Sequence, residues 1–359
     1  MKVLLLKTSS LGDVVHALPA VTDAASAIPG IRFDWVVEES FSAIPGWHPA
    51  VSRVIPIALR RWRRGLRKAW TSGQISSFLI DLRREHYDLV LDAQGLFLKS
   101  ALPGLAVRGP RAGFDWRSVR DPWAALTYQR QYPVSKGLHA VERNRRLFAQ
   151  ALGYEFNSDH LGYGINMALP SRGECRGEGG LRSYLVFLHA TTWPNKHWPE
   201  PYWAALAELA GGAGYPVLWP WYTPDERLRA ERLIAIAGGE LAPRLDLNGM
   251  ARLLAGAAGV VGVDSGLAHL AAALERPAVT LYGPTSIGLT GAVGQRQCNL
   301  AVNQPCAPCL SRKCKLSPLP GSGTDKLFGP EIKPLCFSSV PPEKVWEALS
   351  SQMGQNSGP

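Results

Sequence analysis

Unbroken apolar runs of about four to seven residues recur along the chain, each followed by a small polar turn and then an amphipathic stretch. "VLLL", "RFDWVVE", "RVIPI" and "YDLVLDAQ" mark the first half; "YLVFLHA", "YPVLWPW", "GVVGVDS" and "AVTLYGP" mark the second. Runs without polar alternation fit strands buried on both faces, as in parallel sheets covered by helices. Between them, "HAVERNRRLFAQALG", "EPYWAALAELAGGAG" and "DERLRAERLIAIAGG" space their apolar residues at helical intervals. The alternation predicts an α/β protein with doubly wound sheets. "LPSRGECRGEGGLRS", from Leu169 to Ser183, is aperiodic and rich in Gly and charge, so it reads as a linker. It separates a first domain over residues 1–170 from a second over 181–340. A last helix over 341–352, "PPEKVWEALSSQ", is expected to pack back across the domains, and "MGQNSGP" to fray.

Ligands of doubly wound sheets bind outside the carboxyl ends of the strands, and two such domains would face each other across a central cleft. The residues able to do chemistry cluster at such turns. "TSSLGDVVHALP" follows the first strand and holds one carboxylate, Asp13, beside Gly12. Asp13 either caps a helix or acts as a general base on a hydroxyl. "HATTWPNKHWPE" offers Thr191, Thr192 and Lys196, which suit a phosphate or form a plain solvent-facing loop. In "GVDSGLAHLAAAL", Asp264 precedes a helix whose first amides, at Ser265, Gly266 and Leu267, present a positive dipole end to an anion. His269 lies one turn inside and is either a ligand contact or a packed residue. No G-x-G-x-x-G or G-x-x-x-x-G-K-[ST] loop is present, which argues against dinucleotide redox and P-loop chemistry.

Charge adds a partner to this picture. The formal net charge is +10 over 359 residues, with 22 Lys and Arg against 14 Asp and Glu in residues 1–170 and 17 against 15 beyond. An anionic partner on the first half follows. The excess concentrates in "RRWRRGLRKAW"; from Arg53 to Lys68 there are seven basic residues and no acid, with Trp interleaved. No nucleic-acid-reading module accompanies the run. A hydrophobic fraction of 46% and a charged fraction of 19% describe a globular chain long enough for two domains. "MKVLLLKTSS" is too short in apolar residues for a signal peptide, and no run approaches a membrane span, so a cytoplasmic location is expected. Of six cysteines, Cys306, Cys309, Cys314 and Cys336 could complete a tetrahedral zinc site; otherwise they, Cys298 and Cys175 are reduced thiols.

"LLLKTSSLGDVVHALPA", "HATTWPNKHWPE" and "GVDSGLAHLAAALERPAVTLYGPT", together with "LDAQGLFLKSAL" and "HAVERNRR", resemble the lipopolysaccharide heptosyltransferases of glycosyltransferase family 9. The likeness runs in order over nearly the whole chain. It implies a GT-B fold and metal-independent, inverting transfer of L-glycero-D-manno-heptose from its ADP derivative to Kdo of Kdo2-lipid A. No cofactor beyond that donor is implied. By the same resemblance Asp13 is the base and Lys196 stabilises the leaving diphosphate. Thr191, Thr192, Glu226, Leu245, Asp264, Ser265, Gly266, Leu267 and His269 fall at donor-binding positions. Ser10, Gly12, Gln94, Arg60, Arg61, Arg63, Arg64, Arg120 and Arg143 are then expected to meet the acceptor, whose carboxylates and phosphates suit Arg forks. A monomer attached to the anionic cytoplasmic face of the inner membrane is expected, with no nucleic acid. Ser265 stands where the family commonly has Thr, and the cysteine-bearing segment is more like that of members adding a later heptose. A different acceptor or donor within the family, and a non-catalytic nucleotide- or polyanion-binding protein, are the rival readings.

Overall fold

The computed structural model describes residues 1–168, 183–314 and 334–354. All of the expected linker except Ser183, with Cys175, lies outside the described residues. The chain divides into two compact units, Met1–Met167 and Ala168–Pro359.

Each unit is built on one six-stranded sheet in which every pairing is parallel. In the first, β1 (Lys2–Leu6), β2 (Arg32–Glu38), β3 (Val51–Ile57), β4 (Leu89–Asp92), β5 (Arg111–Phe114) and β6 (Arg130–Tyr132) lie in the order β3-β2-β1-β4-β5-β6. In the second, β7 (Leu185–Leu188), β8 (Val217–Trp219), β9 (Glu240–Leu241), β10 (Gly259–Val263), β11 (Ala278–Tyr282) and β12 (Gln297–Ala301) run β12-β11-β10-β7-β8-β9. Both orders are the Rossmann winding, 3-2-1-4-5-6. The direction of crossover reverses between β1 and β4 in one unit and between β7 and β10 in the other. Loops leaving the carboxyl ends of those strands diverge there and leave room for a ligand.

The cores explain why the apolar runs were legible. Leu4 and Leu6 of β1 face one side with Val36, Ile55 and Ile57, and Trp62, Phe78 and Leu82 close over them. On the other side Phe33 meets Phe148 of the helix Ala140–Leu152, ring centroids 6.0 Å apart. In the second unit Phe187 meets Trp219 edge to face and Trp203 at a tilt, Trp203 stands edge to face on Trp198, and the helix Pro342–Gly354 adds Val345 and Leu349 to the same cluster. Trp198 Nε1 donates to Val340 O at 3.0 Å, so the indole is buried with its polar group satisfied.

Four strands escaped the sequence pattern. β6 is largely exposed, β9 has two residues and β12 is only half-buried, so none has a continuous apolar run. β5, "RAGF", is buried but kept small for packing. A Cβ on Gly113 would lie 2.4 Å from Tyr128 Cε2. Without it, the Tyr128 ring lies over β5 and its hydroxyl donates to Asp92 Oδ2 at 2.6 Å.

Candidate active site

The first unit's switch point carries the lone carboxylate. β1 hands over to the segment Lys7–Ser10, and Ser10 caps the short helix Leu11–Val15. Asp13 Oδ2 accepts from Ser10 N at 2.6 Å and Ser10 Oγ at 3.0 Å. The cap and base readings are therefore compatible: one oxygen is pinned by the cap, while Oδ1 takes no hydrogen bond among the described residues. Gln94, after β4, braces the segment from behind, its Oε1 accepting from Thr8 N and Ser9 N at 3.0 Å each. Asp92 fixes that turn in its own right, accepting from Gln94 N at 2.8 Å and Gly95 N at 2.9 Å.

Asp13 and Gln94 line a cavity of about 100 Å³ with Lys7, Arg120 and Arg143. Three cations thus surround one carboxylate. Lys7 is buried and donates to Ala93 O at 2.8 Å; burial pulls its pKa down, and nearby Asp13 and Asp92 oppose that fall. Arg143 lies over the Phe114 ring, 4.7 Å from its centroid, and donates to Ser118 O at 2.6 Å. Lys7 and Asp92 were missed from sequence, where both read as parts of apolar strands.

Arg60, Arg61, Arg63 and Arg64 do not line this cavity. They follow β3, are all exposed, and occupy the same carboxyl edge of the sheet. Nor does the run lack counter-charges, as its local sequence suggested. Arg53 is spent on Asp34 at 3.0 Å, Arg61 pairs with Glu39 at 3.0 Å, and Arg60 N donates to Glu38 Oε1 at 3.1 Å. Those acids lie in or just after β2, some twenty residues earlier. Arg63 and Arg64 form no ion pair among the described residues.

In the second unit the two switch-point loops meet through an ion pair. Lys196 Nζ donates to Asp264 Oδ2 at 2.6 Å, both side chains largely buried. Thr285 Oγ1 donates to the same oxygen at 2.5 Å, and His269 Nε2 lies 3.6 Å from Oδ1. Burial alone would raise the Asp264 pKa; His269 and Lys196 outweigh it and hold it at about 2. Ser265 caps the helix Gly266–Ala273 in an extended conformation, its buried Oγ without a partner among the described residues. A buried, unsatisfied hydroxyl beside free helix amides is ready for an anionic oxygen.

The Thr191 and Thr192 turn is braced rather than loose. Arg229 donates to His197 Nδ1 at 3.1 Å, which leaves Nε2 protonated to donate to Thr191 O at 2.7 Å. Glu226 completes a capping box on the helix Pro224–Ala237, accepting from Tyr222 N at 2.8 Å and Thr223 N at 3.1 Å. Leu245, half-buried, lies just before Asp246, the cap of the helix Leu247–Gly256.

The depressed Asp264 pKa has a measurable consequence. Its stabilising contribution is full above the unfolded value of about 4 and is lost as pH falls through about 2, a loss of about 2 kcal/mol. Urea unfolding of wild type and Asp264→Asn between pH 5 and pH 2 should show the wild-type curve falling more steeply; parallel curves would contradict the assignment.

The family model of glycosyltransferase family 9 (heptosyltransferase) matches residues 75–319. Lipopolysaccharide heptosyltransferase 1 of Pseudomonas aeruginosa is 49% identical over 355 residues, spanning 98% of each chain. The Escherichia coli K12 protein of that name is 50% identical over 303 residues, 83% of this chain and 92% of its own. The solved E. coli heptosyltransferase WaaC with ADP superposes with a TM-score of 0.79 at 47% identity, covering 84% of this chain and 94% of that one. Two Rossmann-wound units in one chain, matched by that structure, are the GT-B fold of glycosyltransferases. The chain belongs to glycosyltransferase family 9, the heptosyltransferase family.

Proposed function

We propose that the protein transfers L-glycero-D-manno-heptose from its ADP derivative to a Kdo hydroxyl of Kdo2-lipid A, with inversion. The observation that carries this reading is the single carboxylate, Asp13, presenting one unbonded oxygen to a cavity ringed by Lys7, Arg120 and Arg143. A single displacement needs one base. Asp13 takes the hydroxyl proton as that oxygen bonds to the anomeric carbon; the bond from that carbon to the diphosphate breaks with its electron pair leaving on ADP. The cations suit a sugar acid, since arginine and lysine hold a carboxylate beside the reacting alcohol.

On the donor side, Lys196, Ser265 Oγ and the amides of Gly266 and Leu267 supply positive charge where the departing diphosphate becomes more negative. Thr191 and Thr192 add donors on the opposite loop, with Glu226 and Leu245 toward the nucleoside. Incubating the protein with ADP-heptose and either Kdo2-lipid A or an acceptor already bearing heptose, followed by product mass, tests the reading. Heptose added to Kdo2-lipid A supports it; product with the heptosylated acceptor alone would favour the other family specificity.

Among the described residues no helix is long and apolar enough to cross a membrane. Surface attachment fits better: Arg63, Arg64, Arg67 and Lys68 are exposed, and Leu66 and Trp70 are each 65% exposed among them. Each basic residue at an anionic leaflet contributes about 1 kcal/mol. Replacing Arg63 and Arg64 together by Ser should raise the acceptor KM about tenfold, an effect of about 1.4 kcal/mol, with the ADP-heptose KM unchanged. A change confined to the donor KM would place these arginines elsewhere.

A further inference from the structure

Glu38 is a buried acid that the transfer proposed above does not use. It closes β2 at the carboxyl edge of the first sheet and is 2% exposed. Burial pushes its carboxyl up, while the amide and charge of Arg60 and the amide of Leu59 pull against that rise. A carboxylate taken out of water needs such partners, and here they come from the basic run. Glu38 Oε1 accepts from Arg60 N at 3.1 Å. Arg60 is the second residue of the helix Leu59–Trp62, whose own cap position, Ala58, has no side-chain acceptor. Glu38 thus supplies from β2 the cap that the local sequence lacks.

The residues after Glu38 hold the same segment by its side chains. Glu39 takes Arg61 through both oxygens, Nε to Oε1 at 3.1 Å and Nη2 to Oε2 at 3.0 Å. The Arg60 guanidinium lies 4.9 Å from the Phe41 ring centroid. Arg63 and Arg64 follow directly and are exposed. On its other side the strand end is tied to the Asp13 turn. Glu38 N donates to Thr8 O at 3.0 Å, and Trp35 Nε1, earlier on β2, donates to Lys7 O at 3.0 Å. Lys7 and Thr8 lead straight into Ser10 and Asp13. One strand end therefore joins the turn that bears the carboxylate to the loop that bears the arginines.

We propose that Glu38 is a positioning residue for the acceptor: its buried carboxylate fixes Arg63 and Arg64 relative to Asp13, so that anionic groups held by the arginines set the acceptor hydroxyl before the base. The inference rests on the acceptor reading of Asp13 and the two arginines. Glu38 does not itself meet the substrate; it acts by capping Leu59–Trp62. A capped helix orders the run after it before the acceptor arrives, which removes part of the entropic cost of binding. Glu39 acts in the opposite sense. Its pair with Arg61 is exposed and weak, and it competes with an acceptor anion for that guanidinium.

Binding of Kdo2-lipid A micelles to the full chain without donor, beside steady-state kinetics, tests this. Glu38→Ala should weaken acceptor binding and raise the acceptor KM about tenfold, with kcat at saturating acceptor and the ADP-heptose KM within about threefold of wild type. Glu38→Gln should stay within about threefold throughout, since its amide oxygen can accept from Arg60 N. Should the Ala variant not fold, Glu38→Asp keeps the charge but shortens the reach, and it should still raise the acceptor KM at least about threefold. Glu39→Gln should lower that KM by up to about threefold as Arg61 is released. With Arg63 and Arg64 both changed to Ser, Glu38→Ala should alter the acceptor KM less than about twofold, because its effect passes through them. Amide hydrogen exchange over residues 59–65 should quicken about tenfold in Glu38→Ala and not in Glu38→Gln, a readout that needs no substrate. Unchanged exchange in Glu38→Ala, equal losses for donor and acceptor, or a full effect in the absence of the two arginines would overturn the proposal. A Gln variant as impaired as Ala would overturn it too. Wild type that does not bind Kdo2-lipid A would instead sink the functional reading.

Discussion

Asp13→Asn should lower kcat about 10³-fold, within the usual range for losing a general base, while leaving ADP binding unchanged. The substitution is chosen for what it preserves. The Asn carbonyl can still accept from Ser10 N and Oγ, the bonds that now hold Oδ2 at 2.6 and 3.0 Å. The cap survives, and stability should change by no more than about 1 kcal/mol. What disappears is the oxygen able to take a proton. Steady-state kinetics with saturating acceptor, beside a thermal unfolding curve and an ADP titration, separate these effects. Turnover within about threefold of wild type would show that Asp13 only caps the helix, and the base would have to be sought elsewhere. Ala is a poorer choice, because it removes cap and base together.

Much of this site was legible because the chemistry falls at the ends of buried strands. "VLLL", "YLVFL" and "GVVGV" are apolar enough to declare themselves, and the polar residues after them had to sit at carboxyl edges. What stayed hidden needed pairings across long sequence distances. Lys196 and Asp264 are 68 residues apart, and the acid nearest Lys196 in sequence, Glu200, pairs with Arg232 and Arg229 instead. Asp34, on β2, gives no sign in sequence that it neutralises Arg53, so the basic run looked uniformly available. Lys7 follows a hydrophobic strand directly; that its ammonium is buried against Ala93 O depends on where β4 is inserted in the sheet. Motif position predicts where ligands go, whereas ion pairing decides which charges remain to meet them.

That distinction governs the second large effect. Lys196→Met should reduce kcat/KM for ADP-heptose by about 10²–10³-fold, the usual loss for one group stabilising developing charge. It should also destabilise the second unit, because Asp264, 6% exposed at its side chain, loses the ammonium that holds it ionised. Removing one partner of a buried pair costs about 3–5 kcal/mol when nothing else compensates. Thr285 and His269 remain on that carboxylate, so the loss should fall at or below the lower end of that range. Stability and catalysis can then be separated by a double variant. Lys196→Met with Asp264→Asn leaves no uncompensated buried charge, so unfolding should move back toward wild type. Activity should not return, because the diphosphate would still leave without its cation. If the double variant regained both stability and turnover, Lys196 would be a structural partner of Asp264 alone. If it regained stability only, the ammonium acts on the leaving group, and the ion pair is its resting position.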